Sequence, residues 1–293
     1  MKAIKINNLT KNYGKNRGIN NINLEINQGE IYGFIGPNGA GKSTTIKTLL
    51  NFIFPTSGSA KILGKDIVDE SKEIKEFTSF VPSEVRYYSE FKVKDILKYA
   101  ASFFKDYDRE YVKELCDELE VELEKKMSEL SLGNKKKVAI VQALINNPKI
   151  VILDEPTNGL DPLIQQKLFN ILLKEKAKGK TIFLSSHNLS EVEKFCDRVA
   201  VIKEGQIVDI LDLKNINRDL GQRVIISSNN IEIKEIEKIA ENVKEIDKGI
   251  EFIYKGNLNE LISLLSKYDI EKLLIEEVKL EDTFLHYYEG EGK

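Results

Sequence analysis

Residues 32–50 read YGFIGPNGAGKSTTIKTLL, and the fold turns on how this stretch is understood. It opens apolar and places Gly36, Gly39 and Gly41 within six residues. It then runs through Lys42 and Ser43 into residues of helical character. Glycine loses the most backbone freedom on folding, so such density needs a cause. Close approach of backbone N–H groups to a ligand supplies one. Gly36-Pro37-Asn38-Gly39-Ala40-Gly41-Lys42-Ser43 fits the phosphate-loop pattern G-x-x-x-x-G-K-[ST], with an apolar strand (IYGFI) before it and a helix after. Amides of the loop and of the helix start, as far as Thr44, form an anion nest for the β- and γ-phosphates of a nucleotide. Lys42 sets a cation beside them, and the Ser43 hydroxyl suits a Mg²⁺ shell. A dinucleotide-binding reading fails, because its third glycine would fall on Thr44.

Two further apolar runs end in polar residues: KIVILDEP (149–156) and KTIFLSSH (180–187). Helical segments flank both. That is the pattern of buried parallel strands carrying functional groups at their carboxyl ends. Asp154 suits Mg²⁺ positioning, directly or through water. Glu155 can orient and deprotonate an attacking water; an ordinary solvated turn is the alternative. His187 can bond the γ-phosphate and that water together, against the commoner structural role of a lone histidine. His286, beside Tyr287 and Tyr288, reads as structural or surface.

Along the rest of the chain, AIKINNL, INLEI and EIYGFIG alternate with period two and predict strands. Lys47 to Phe54 continues the helix after the glycines. PTSGSAKILGKDI predicts a hairpin with turn residues at Thr56–Gly58 and at Gly64. Val93, Ile96, Leu97, Ala100, Ala101 and Phe104 recur at helical spacing, and REYVKELCDELEVELEKKMSEL continues in the same idiom. Residues 86–130 thus predict a helical insert. RVAVIKEGQIVDI adds a hairpin turning at Glu204-Gly205. Beyond Leu211 the order strand, helix, strand, strand, helix, strand predicts the split βαβ of a ferredoxin-like unit, closed by a last helix, LEDTFLHYY.

Composition narrows the function. Lys and Arg number 44 against 47 Asp and Glu, so no positive excess exists to neutralise a nucleic-acid backbone. Lys135-Lys136-Lys137 is expected to be a solvated helix face. Cys116 and Cys196 stand singly, without metal or disulfide spacing, and predict small buried side chains in a reducing cytoplasm. No run approaches the roughly 18 uninterrupted apolar residues of a membrane span. Any membrane role is expected to come through another polypeptide.

Taken together, these motifs resemble the nucleotide-binding subunit of an ATP-binding-cassette (ABC) transporter over about residues 1–215. Tyr13, in KNYG, matches the aromatic residue that stacks on adenine. LSLGN (Leu130–Asn134) matches the family signature, LDEP the Walker B segment with its catalytic glutamate, NGLDP (Asn158–Pro162) the D-loop with Asp161, and SSHNLSEVE the switch-histidine region. Two positions depart. The signature carries Leu132 and Asn134 where glycine and glutamine are usual, keeping Ser131 and Gly133. Ser83, in FVPSEV, stands at the Q-loop position, where glutamine is usual and serine is too short to copy its reach.

The resemblance implies an α/β fold: a phosphate-loop ATPase core of parallel sheet with helices, an antiparallel β subdomain, and a helical subdomain, followed by a small α+β domain over 216–293. It implies ATP and Mg²⁺ as ligands. Lys42, Glu155 and His187 would carry catalysis, with Ser43 and Asp154 holding the metal. Ser131 and Gly133 of one copy would cap the γ-phosphate held by another, so the working form is a homodimer or a pair with a related cassette. The implied partner is an integral membrane subunit, with this chain cytoplasmic and peripheral at the inner face of the membrane. The C-terminal extension resembles ABC-2 exporter cassettes. Tyr87, Tyr88 and Phe91 are candidates for the partner contact or for packing within the insert. The competing function is a soluble cassette ATPase in translation or nucleic-acid maintenance.

Overall fold

The computed structural model describes residues 1–14, 16–213, 221–228 and 231–277. The chain folds as two units, Met1–Leu211 and Asp212–Lys293.

The first unit is built on two sheets. Strands β1 (Lys2–Tyr13), β2 (Asn16–Asn27), β4 (Ser57–Ile62) and β5 (Lys65–Asp66) form an antiparallel sheet in the order β2-β1-β4-β5. Their inward residues, Ile4, Ile6, Leu9, Ile22, Leu24, Ile26, Ala60 and Ile62, are buried, as alternation predicts. The second sheet runs β10-β9-β3-β8-β7-β6, with β3 (Ile31–Ile35), β6 (Thr78–Val81), β7 (Ile150–Asp154), β8 (Thr181–Ser186), β9 (Arg198–Lys203) and β10 (Gln206–Asp212). Its first five strands in the chain are mutually parallel where paired. Every residue of β3, β7 and β8 is buried. Both faces of these strands are covered, so their sequences are continuous apolar runs; the period-two reading of EIYGFIG does not hold for β3. β9 and β10 are joined at Glu204 (φ 52) and Gly205 (φ 81), the two left-handed residues that a tight hairpin requires.

Helix α1 (Lys42–Leu49) leaves the phosphate loop and ends at Leu50, short of Phe54. Asn51 follows with φ 53, which no helix continues. α2 (Ser71–Phe77) precedes β6. The hairpin between β4 and β5 turns at Leu63-Gly64; of the expected turn at Thr56–Gly58, Ser57 and Gly58 instead open β4, paired to β1. In the insert, α3 (Val93–Ala101) and α4 (Arg109–Glu118) form, but the helical idiom stops at Glu118. Leu119 is buried and Glu120 turns at φ 54, so residues 121–126 are not helical. A short 3₁₀ turn, Met127–Glu129, leads into α5 (Leu132–Leu144). α6 (Pro162–Ala177) and α7 (Leu189–Phe195) follow β7 and β8.

The second unit contains β11 (Gln222–Ser228), α8 (Ile233–Ile236), β12 (Glu241–Ile246), β13 (Gly249–Tyr254), α9 (Leu258–Leu265) and β14 (Ile270–Glu277). Its sheet runs β12-β13-β11-β14, antiparallel throughout. Val224, Ile226, Ile250, Phe252 and Leu261 fill its own core. The expected last helix at 280–288, with His286, lies outside the described residues.

Candidate functional site

The site is assembled at the carboxyl ends of β3, β7 and β8, three neighbouring strands. β3 delivers the phosphate loop. Gly41 caps α1 at φ 112, and a Cβ there would come within 2.8 Å of Ile19 Cγ2. A side chain is therefore excluded both by backbone angle and by space. The loop folds back so that Lys42, 6% exposed, donates from Nζ to Gly36 O at 2.6 Å and Pro37 O at 3.3 Å.

β7 ends at Asp154, and Glu155 follows with φ 50, a left-handed conformation that side chains rarely adopt. Two bonds hold it there: Glu155 N–H donates to Ser185 O (3.2 Å) and to Ser185 Oγ (3.0 Å). The turned carboxylate is buried between two partners. Lys42 Nζ lies 3.0 Å from Oε1, and His187 Nδ1 lies 2.6 Å from Oε2. The Lys42 and Glu155 side chains are almost wholly removed from water, whereas His187 is half-exposed. The pair is close, but Glu155 Oε1 completes no hydrogen bond, so the buried carboxylate is only partly satisfied. Beside it, the Ser185 hydroxyl donates to Asp154 Oδ1 at 2.6 Å, fixing the buried aspartate.

A cavity of about 540 Å³ opens over these groups. Pro37, Asn38, Gly39, Gly41, Lys42, Ser43 and Thr44 line one side; Glu155, Asn158 and His187 line another, with Ser83, Glu84, Leu132 and Gly18 completing the wall. Most of the residues singled out in the sequence from the loop and the two strand ends thus meet around one space. Others do not line it. Ala40 is buried, its carbonyl accepting from Gly205 N–H. Tyr13 is exposed at the end of β1, with Lys11 Nζ 5.4 Å from its ring centre. Ser131 and Asp161 serve as N-caps, accepting from Asn134 N–H and Ile164 N–H at 3.2 and 3.0 Å. Gly133 is buried against the D-loop, where a Cβ would sit 2.1 Å from Gly159 O.

The lysine run is a correction. Lys136 is fully buried and Lys137 nearly so; the solvated face expected for the triplet does not exist. Lys136 Nζ donates to Pro82 O (2.8 Å), Ser83 O (2.7 Å) and Glu155 O (3.4 Å). Burial pushes its ammonium down to about 8, against the pull of the Asp154 and Glu155 carboxylates. Ser185 and Glu191 were also missed. Glu191 accepts from Thr157 and Ser186 hydroxyls at 3.0 and 3.2 Å, and burial raises its carboxyl above the usual range. The sole signal for Ser185 is a hydroxyl at the polar end of an apolar run. The aromatic cluster splits: Tyr87 donates to Gln142 Oε1 on α5 at 2.9 Å, while Tyr88 and Phe91 are exposed, edge to face at 6.1 Å. Both cysteines are buried and free.

The ABC transporter family profile matches residues 19–158. The bacitracin transport ATP-binding protein BcrA of Bacillus licheniformis is 33% identical, over 98% of this chain and 97% of its own. The Nod factor export ATP-binding protein I of Burkholderia orbicola is 34% identical, over 69% of this chain and 68% of its own. Among solved structures, the dimeric cassette MJ0796 bound to ADP and Pi superposes with a TM-score of 0.65 at 27% identity, covering 72% of this chain and 98% of that one. CbiO1 of Clostridium perfringens, part of the complex cbiONQ, gives 0.63 at 29%, over 73% and 90%.

Proposed function

The chain belongs to the ABC transporter family of ATP-binding subunits, and from that premise we propose that it powers export through a separate membrane-spanning partner. It is a transport ATPase, not a translation or nucleic-acid maintenance factor. The Nod factor export relative supports the export direction. No described helix is long and apolar enough to cross a membrane, so attachment at the inner face would run through the partner. Exposed Tyr88 and Phe91 suit that contact, since aromatic residues are enriched in interface cores. The second unit, in its βαββαβ order, reads as a ferredoxin-like accessory domain from about residue 216.

One observation carries the catalytic reading: a buried carboxylate, Glu155, held between the phosphate-loop lysine and His187. In the proposed mechanism, loop amides from Gly36 to Thr44 receive the phosphates of ATP, and Tyr13 meets the adenine. Lys42 turns its ammonium from Gly36 O, Pro37 O and Glu155 to the β- and γ-phosphates. Glu155, freed of that cation, takes the proton of the attacking water. His187 orients the water and the γ-phosphate. Ser43 and Asp154 offer oxygen donors only, and among the described residues no cluster of three or more metal-ligating side chains forms. That suits Mg²⁺, which keeps water and phosphate oxygens in its shell. When bound, Mg²⁺ would neutralise charge on the phosphate oxygens. Ser131 and Gly133 of a second copy, with Asp161 nearby, would close the site.

Steady-state phosphate release tests this. Glu155→Gln is expected to bind Mg-ATP normally and lose about 10²–10⁴ in kcat. Turnover equal to wild type removes Glu155 from the role.

A further inference from the structure

Lys136 lies on α5, the helix that Ser131 caps, and its ammonium is closed off from solvent. A cation in that setting is retained only where its donors are satisfied. The three groups it meets are backbone carbonyls from the ends of two adjacent strands: Pro82 and Ser83 after β6, and Glu155 after β7. Ser83 and Glu155 both line the nucleotide cavity. The Ser83 hydroxyl is too short to copy the reach of a glutamine across that space. The connection between its turn and the backbone of Glu155 runs through the lysine on α5.

We propose that Lys136 is a positioning residue that clamps the start of α5, the Ser83 turn and Glu155 into one unit. The consequence is mechanical. α5 is a rigid rod whose first turn carries Ser131 and Gly133, and Gly133 rests against Gly159 of the D-loop. A shift of that helix end, as when a second copy's nucleotide engages Ser131, moves the anchored ammonium and with it the backbone that holds Glu155 in its left-handed turn. The clamp acts on the geometry of the base, not on the phosphate loop, so it affects turnover and leaves nucleotide affinity alone. This rests on the catalytic reading of Glu155 given above.

The test uses the purified full chain with Mg-ATP, measuring affinity, kcat and melting temperature for wild type, Glu155→Gln, Lys136→Met and Lys136→Gln. Lys136→Met keeps length and loses all three donors. It is expected to hold the Mg-ATP Kd within about threefold while kcat falls about tenfold to a hundredfold, the size of effect that an ångström-scale misplacement produces. Lys136→Gln keeps two donors and is expected to lie between, about threefold to tenfold below wild type. A Lys136→Met kcat within about threefold of wild type, or Kd and kcat failing together, overturns the clamp. If Lys136→Met does not fold, Lys136→Gln decides, and an unchanged kcat overturns it. These outcomes differ from failure of the underlying reading, in which wild type does not turn over Mg-ATP or Glu155→Gln matches it.

Discussion

At the residue scale, the site is a set of mutually dependent contacts around one strained peptide. A left-handed non-glycine residue costs of the order of 1–3 kcal/mol, and it persists only where its surroundings fix it. For Glu155 the fixing group is Ser185, which receives the Glu155 N–H and donates to Asp154 at once. Ser185→Ala would leave both partners of a fully buried hydroxyl without it. A loss of about 1–3 kcal/mol in denaturant unfolding is expected. The Mg²⁺ concentration for half-maximal ATPase is expected to rise, since Asp154 loses its orienting donor. Unchanged values in both measurements would show that Ser185 holds neither residue. Lys42, Glu155 and His187 were legible in the sequence because spacing and strand ends encode them locally. Ser185 and Lys136 were not. A hydroxyl before a histidine and a lysine among lysines look alike whether they face water or a neighbouring strand end, and only tertiary packing decides which.

At the scale of elements, continuous apolar runs correctly marked β7 and β8, because strands covered on both faces need no polar alternation. The hairpin at Glu204-Gly205 was equally legible from its turn residues. Within the insert, the helical reading of the residues just after Glu118 does not hold. Charged helix-forming residues after Glu118 look the same in a loop that packs through Leu119 and bonds Val121 N–H to Cys116 O. What ties the insert to the core was invisible in the sequence. Glu175 on α6, with no exposure, accepts from Tyr111 Oη of α4 at 2.8 Å and from Lys178 at 2.7 Å, and pairs with Lys180. Burial alone would raise its carboxyl, but Lys178, Lys180 and Tyr111 together hold it below the usual range. A carboxylate so depressed contributes stability above its unfolded pKa and gives it up as pH falls through the folded value, so this tie is expected to weaken in acid. Glu175→Gln strands the buried Lys180 charge and is expected to cost about 3–5 kcal/mol at neutral pH by denaturant unfolding. A loss under about 1 kcal/mol would mean the cluster is not a structural tie.

At the scale of the whole molecule, the motifs fell into two groups with different physical standing. Those that meet within one chain, most of the phosphate loop, Glu155 and His187, converge on the 540 Å³ cavity, with Asp154 buried at the strand end behind Glu155. Those carried by the family resemblance as contacts to a second copy, Ser131, Gly133 and Asp161, sit at helix starts off that cavity, Ser131 and Asp161 engaged as caps. That division is what a site shared between two chains would leave in each one. Two triphosphates would then join two copies, and hydrolysis would remove the γ-phosphate contacts that hold them, which makes a ligand-biased two-state device. The most direct test is the mass in solution of Glu155→Gln with saturating Mg-ATP, by gel filtration with light scattering. A dimer that reverts to monomer when Mg-ATP is replaced by Mg-ADP is the expected result. A nucleotide-saturated monomer would contradict it.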